Sequence, residues 1–360
     1  MLWDVFCRVI DNHGDLGVCW RLARRLVALG HRVRLWVDDA SALAWMAPRG
    51  AEGVEVLPWR EPEPHETPGE VVIESFGCDP PPGFLARMAQ AAVLPVWINL
   101  EYLSAESYVE RSHGLASPQM AGPARGLTKW FFYPGFSEAT GGLLREPALD
   151  GARDEGWLAR IDPAARPEAC RVSLFCYENP ALPAALEAWR EGSTPVDLYL
   201  TPGHATRQAA QWLGTPLEAG SQRHAGALRL VALPWLEQPD YDRLLAACEL
   251  NFVRGEDSFV RALWAGRPFV WQIYPQRDGV HAAKLEAFLD VYVSGAPTAL
   301  AAALRRRFAA WNGLADAPAH ALPDAAWTSH AAARAQALAS VQRSLGDLGE
   351  RLLRFALAKR

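Results

Sequence analysis

One short segment near the start of the chain, Asp11-Asn12-His13-Gly14-Asp15-Leu16-Gly17, holds two carboxylates four residues apart and two glycines. An apolar, β-branched run, Leu2–Ile10, precedes it, and apolar residues at helical spacing follow it (Val18, Leu22, Leu26, Leu29). The segment is therefore a strand-to-helix turn, the place where open α/β sheets keep their ligands. Two acids there suit a site that holds and deprotonates a substrate. A dinucleotide-binding turn reads G-x-G-x-x-G, whereas only Gly14-x-x-Gly17 is present, and carboxylates repel a pyrophosphate. Asp38, at the end of the next predicted strand, reads as a solvent-facing acid rather than a ribose contact. Asp15 is close enough to the helix start to cap it, but capping needs one acid and this turn has two.

A second constellation is Phe252-Val253-Arg254-Gly255-Glu256-Asp257-Ser258-Phe259, which follows a predicted strand and opens a helix. A helix N-terminus offers unpaired N–H groups and a positive dipole end, which suits a diphosphate. Arg254 adds a charged fork for phosphate oxygens, Ser258 a hydroxyl, and Gly255 close backbone approach. Glu256 fits sugar hydroxyls or a cation better than a phosphate. Asp257 or Ser258 could equally cap an ordinary helix. The aromatics of Ser173–Pro180 (Phe175, Tyr177), with Gln238 and Tyr241 beyond Leu233-Pro234-Trp235, all fall at carboxyl ends of predicted strands and outline a nucleotide pocket. Trp97–Ser104 ends another strand and projects Glu101 and Tyr102, an acidic group suited to a cationic acceptor or to plain solvent.

The elements that position these groups form two alternating series. The first has strands at Leu2–Ile10, Arg32–Val37, Val54–Leu57, Val71–Ser75, Leu94–Leu100 and Lys129–Tyr133; the second at Cys170–Tyr177, Val196–Leu200, Leu228–Leu233, Leu250–Val253 and Pro268–Gln272. Strands alternating with helices imply doubly wound parallel sheets. The Gly- and Pro-bearing stretch 137–168 reads as the join. The expected organisation is an N-terminal domain over 1–150, a C-terminal domain over 151–330, and a terminal helix over 331–360 returning to the first domain. With 360 residues, half of them apolar, each domain can bury a core. A net charge of −5 gives no support for nucleic-acid binding. The six cysteines are scattered without a CxxC pair and the nine histidines lack ligand spacing, which argues against zinc and disulfides. No apolar run reaches the roughly 18 residues of a membrane span, and Met1–Asp4 does not open a signal peptide. The expectation is a cytoplasmic monomer. On residues alone, a nucleotide-sugar transferase or epimerase, a non-catalytic binding protein with an acidic cleft, and a less well supported NAD-linked dehydrogenase all stay open.

Taken together, Ile10–Val18, Glu74-Ser75-Phe76-Gly77, Trp97–Ser104, Asn251–Ser258 and Tyr274-Pro275-Gln276 resemble, in order and spacing, the bacterial protein-arginine rhamnosyltransferases that modify elongation factor P. The likeness runs over nearly the whole chain. It departs at His13, where the family usually has Phe. The resemblance implies two Rossmann-like domains facing across a cleft, of the GT-B glycosyltransferase type. It implies thymidine diphosphate rhamnose as donor, one arginine of elongation factor P as acceptor, inversion at the anomeric carbon, and activation of the factor for translation. No metal or other cofactor is expected. By position, Asp11, Asp15 and Glu256 match the family's essential acids, and Phe175, Tyr177, Gln238, Tyr241, Arg254, Asp257 and Ser258 its donor-binding residues. The chemistry asked of them is demanding, because a guanidinium with a pKa above about 12 is a poor nucleophile. One carboxylate must grip it bidentately and another take a proton; Asp15 is the expected base and Asp11 the orienting partner, with the reverse assignment open.

Overall fold

The computed structural model describes residues 1–10, 13–62, 66–146, 154–275, 279–315 and 325–360. The chain divides into two compact units, Met1–Pro147 with Gln342–Arg360, and Ala148–Val341.

The first unit runs β1 (Leu2–Cys7), α1 (Gly14–Ala28), β2 (Arg32–Val37), α2 (Leu43–Met46), β3 (Val54–Pro58), β4 (Val71–Ser75), α3 (Pro82–Gln90), β5 (Val96–Leu100), α4 (Tyr108–Ser112), β6 (Ala116–Pro118) and β7 (Thr128–Phe132). Its seven strands lie in the order β3-β2-β1-β4-β5-β7-β6, parallel except for the edge strand β6. The central strands β1, β4 and β5 are buried almost throughout and mostly apolar because helices cover both faces, with Asp4, Glu74, Ser75 and Asn99 as the buried polar exceptions. Trp3, Val5 and Cys7 of β1 join one core with Leu16, Cys19, Leu22 and Leu26 of α1. Phe6 points the other way, into a core with Trp36, Trp97 and the α3 residues Phe84, Leu85 and Met88. Strand order reverses between β1 and β4, and that switch point is where the ends of a doubly wound sheet open to a ligand.

The second unit runs α5 (Glu155–Ile161), β8 (Cys170–Leu174), α6 (Leu182–Glu191), β9 (Val196–Leu200), α7 (His204–Leu213), β10 (Gln222–Ala225), β11 (Leu228–Ala232), α8 (Gln238–Ala247), β12 (Leu250–Arg254), α9 (Asp257–Ala265), β13 (Phe269–Gln272), α10 (Val280–Val293) and α11 (Thr298–Trp311). Its strand order is β10-β11-β9-β8-β12-β13, with only β10 antiparallel, and the reversal falls between β8 and β12. A buried charge cluster fastens the entry of this unit to its sheet: Arg229 of β11 pairs with Asp162 and, at 2.8 Å, with Asp197 of β9. Arg166 joins Asp197 at 2.8 Å.

The C-terminal segment is two helices, α12 (Ala325–Ser344) and α13 (Leu348–Ala358), where the sequence suggested one. The break has a local cause. Gly346 adopts a left-handed φ of 84°, and the Asp347 carboxylate caps α13 by accepting from the Gly349 N–H at 2.8 Å. Leu348, Leu352 and Ala356 of α13 complete the α1-side core. Asp347 also takes the Arg25 guanidinium of α1 in a fork, at 3.1 and 2.7 Å. At the other end of the first unit's described segment, Glu146 pairs with Arg21 (2.6 Å) and Arg24 (3.0 Å) of α1. The helix that carries Asp15 is thus clamped along its length.

Candidate active site

In the first unit, Asp15 is the second residue of α1 and is almost fully buried (3% exposed). The N-cap position belongs to His13, whose side chain makes no capping bond. The Asp15 carboxylate reaches back instead to the loop after β1, accepting from the Ile10 N–H at 2.9 Å through Oδ2. Its Oδ1 accepts from the Tyr102 hydroxyl at 3.2 Å. Both bonds favour the ionised carboxylate, and so does the positive end of α1. Asp11 and Asn12 lie outside the described residues. The His13 ring meets Trp45 edge-on, 5.2 Å between centroids, a contact a Phe ring would also make.

The Tyr102 side of this site comes from the ends of β4 and β5. Phe76, just beyond β4, has a left-handed φ of 60° and stacks on Tyr102, 4.2 Å between centroids and 11° from parallel. The turn is held by Phe76 N–H to the Leu100 carbonyl (2.6 Å) and Gly77 N–H to the Asn99 side-chain oxygen (3.1 Å). The Asn99 amide then donates to Glu101 at 2.7 Å, so Glu101 is an ordered member of the network. Glu74 is committed to structure: it is buried against Lys129 (2.7 Å) and Trp97 (3.1 Å), and burial pushes its carboxyl up.

In the second unit, Arg254 ends β12 and Gly255 turns the chain with φ 62°. Glu256 takes the N-cap position of α9 without a side-chain cap, and Asp257 opens the helix, 3.9 Å from Arg261 one turn on. Ser258 closes this turn: its hydroxyl accepts from the Arg254 N–H at 3.1 Å and donates to the Arg254 carbonyl. The Arg254 guanidinium lies over the rings of Phe175 (4.4 Å) and Tyr177 (4.5 Å), both beyond the end of β8. Arg254 is 8% exposed, its Nη1 is buried without a hydrogen-bond partner, and among the described residues no carboxylate pairs with it. A buried cation in that condition is costly unless an anion joins it. Tyr241 meets Phe175 edge-on at 5.8 Å; burial drives its hydroxyl pKa up, while its contact with Ser258 and the charge of Arg254 work against the rise. Gln238, buried, begins the same helix as Tyr241. Phe175, Tyr177, Tyr241, Arg254, Asp257 and Ser258 therefore converge at the β8 and β12 ends.

Two features were not legible as site elements in the sequence. One is a cavity of about 430 Å³ beyond the ends of β9 and β11, lined by Gly203, Thr206, Arg207, Leu217, Ala232 and Trp235 among others. The exposed Trp235, part of the Leu233–Gln238 string read in the sequence, was the available signal. The other is the Phe76–Tyr102 stack, for which the Phe-Gly pair after a buried strand was the only sign.

Two doubly wound units with these strand-end constellations define the class: a glycosyltransferase of GT-B fold. Spinosyn rhamnosyltransferase SpnG shares that fold, with a TM-score of 0.52 at 15% identity over 98% of this chain and 99% of that one. The chain belongs to the family described as Elongation-Factor P (EF-P) rhamnosyltransferase EarP, whose model matches residues 3–357. The protein-arginine rhamnosyltransferase of Pseudomonas aeruginosa is 44% identical over 98% of each chain, and that of Neisseria meningitidis serogroup B is 39% identical over 79% of this chain and 77% of its own. A structure solved to show EarP-mediated arginine glycosylation of translation elongation factor EF-P superposes with a TM-score of 0.69 at 32% identity, covering 100% of this chain and 99% of that one. The reaction of this chain is rhamnosylation of an arginine side chain.

Proposed function

We propose that the donor is thymidine diphosphate rhamnose, that the acceptor is one arginine of elongation factor P, and that the anomeric carbon inverts. The observation that carries the donor half is the buried Arg254 guanidinium, lodged against two aromatic rings and lacking a counter-ion among the described residues. A diphosphate supplies that charge, and the α9 N-terminus adds N–H donors. Phe175, Tyr177, Gln238 and Tyr241 serve the nucleotide, with Asp257 and Ser258 shaping the turn. The Asp15 carboxylate, accepting from the Ile10 N–H and the Tyr102 hydroxyl, supports the acceptor half.

In the reaction, a guanidinium nitrogen attacks the anomeric carbon as the bond from that carbon to the diphosphate oxygen breaks. The electron pair leaves with the diphosphate, where Arg254 stabilises it without a metal ion. The attacking nitrogen, drawn out of guanidinium resonance, becomes acidic, so an ordinary carboxylate takes its proton. Asp15 fills that role on this reading, Asp11 orients the guanidinium, and Glu256 positions sugar or acceptor. Cytoplasmic location and action on the factor to support translation follow from the acceptor; no helix among the described residues is long and apolar enough to cross a membrane.

Intact-mass measurement of elongation factor P after incubation with the donor tests the reading; a gain of one deoxyhexose on arginine is expected. Asp15→Asn should abolish that gain while leaving calorimetric donor affinity nearly intact. Loss of donor affinity in this variant would count against Asp15 as the base.

A further inference from the structure

The turn after β4 is strained. A non-glycine residue with φ near 60° occupies a sparsely populated backbone region and persists only where its surroundings over-determine it. Phe76 is such a residue, and a left-handed Gly77 follows it. Two hydrogen bonds to β5 residues hold the pair: the Phe76 N–H donates to the Leu100 carbonyl and the Gly77 N–H to the Asn99 side-chain oxygen. The outcome of the distortion is specific: the Phe76 ring becomes a near-parallel seat for Tyr102. Tyr102 is 36% exposed, yet its ring is stacked and its hydroxyl reaches a carboxylate 87 positions away. An unconstrained surface tyrosine has neither contact.

From this geometry we propose that Tyr102 is a positioning residue for the Asp15 carboxylate, and that the strained Phe76–Gly77 turn exists to seat it. The inference rests on the reading of Asp15 as the base. Asp15 is held from two sides, by the Ile10 N–H on Oδ2 and by the Tyr102 hydroxyl on Oδ1. The first fixes the carboxylate to the loop after β1, and the second to the loop after β5. Together they define its plane across the point where strand order reverses. At 3.2 Å the Tyr102 bond is long for O–H···O, of the kind that shortens when substrate closes on a catalytic group. Because the phenol donates to the ionised form, Tyr102 also keeps the carboxylate charged to lower pH.

Among the described residues, the Cys7 thiol of β1 interacts with Asp15 and with the Cys19 thiol of α1; His13 precedes Asp15 at the start of α1, and Glu101 stands beside Tyr102 on the loop after β5. Asp39, beyond β2, interacts with His13. Contact with Cys19 and burial raise the Cys7 pKa well above its ordinary value, so Cys7 stays neutral where Asp15 titrates. His13, at the N-cap of α1, carries an ionisable ring of its own, so the test is run in two backgrounds.

The decisive variant is Tyr102→Phe, which keeps the ring on Phe76 and removes only the hydroxyl. Aspartate labelled at the carboxyl carbon, with the Asp15 signal assigned by its loss in Asp15→Asn, reports the titration without any substrate. The midpoint for Asp15 should rise by roughly one pH unit in Tyr102→Phe, in the native and the His13→Phe backgrounds alike. In the transfer assay, kcat should fall about tenfold or more with donor KM unchanged, and the acid limb of the kcat profile should move up with the midpoint. An unmoved Asp15 midpoint overturns the inference, and so does an undiminished kcat. If the native protein transfers no rhamnose to elongation factor P, the acceptor reading falls instead, and the titration still decides the role of Tyr102.

Discussion

Two buried arginines show how one residue type serves opposite ends. Arg229 is 1% exposed and saturated by Asp162, Asp197 and the Gln222 side chain. Burial alone would raise Asp197, but Arg229 and Arg166 outweigh it and hold the carboxyl below its usual range. A carboxyl depressed in the folded state stabilises the protein above its unfolded pKa of about 3.9, and that stability drains away as pH falls through the folded value. Thermal unfolding followed against pH should therefore weaken below about pH 4, and Asp197→Asn should lose about 3–5 kcal/mol at neutral pH. Arg254 is nearly as buried but lacks such partners among the described residues, so its removal should stabilise or barely change the empty protein. Arg254→Ala should instead weaken donor binding about 10–100-fold by calorimetry, the worth of a charge-assisted bond. Unchanged donor affinity would remove the diphosphate from this position. The sequence marks Arg254 by its place at a strand end before a helix, but not the pairing of Arg229, whose carboxylates come from 32 and 67 positions away.

At the scale of elements, α1 links the site to the chain's end. Its first turn carries Asp15, its middle Arg21 and its last turn Arg25, the two arginines clamped to Glu146 and Asp347. The approach of α13 is close: a Cβ on Gly349 would stand 2.6 Å from Arg25 Cγ. Arg25 cannot swing aside without giving up its fork on Asp347. Gly349→Ala should thus destabilise the first unit by about 1–3 kcal/mol in chemical denaturation, as overpacking does. An unchanged midpoint would show that the two helices part freely. The central strands were legible because their signal is local: Val71–Ser75, Arg32–Val37 and Val196–Leu200 are short stretches rich in apolar and β-branched residues. The helix α7 was not, since its buried residues are the small Ala205 and Ala209. The first strand ended earlier than its apolar run, at Cys7 rather than Ile10, because the chain must leave the sheet to bring the Ile10 N–H to Asp15.

At the scale of the molecule, the first unit is closed by residues from the far end of the chain. Leu348, Leu352 and Ala356 sit in the α1-side core, and Leu348 N–H bonds to the Leu143 carbonyl. A chain stopped after Val341 should expose that core and bind the dye ANS, with loss of the cooperative transition of the first unit. Retention of that transition would show the terminal helix to be dispensable. Alternating strand and helix signals determined the class of fold, because hydrophobic period is written locally in the chain. The acids of the first turn and the Arg254–Ser258 helix start were legible for the same reason: loop chemistry follows from residue type beside a strand end. Only the tertiary structure decided that Tyr102 holds Asp15, that a strained Phe76 seats Tyr102, and that Arg254 lies buried on two rings without a carboxylate among the described residues. These depend on side chains brought together by parallel crossovers, whose pairing distances no local pattern encodes.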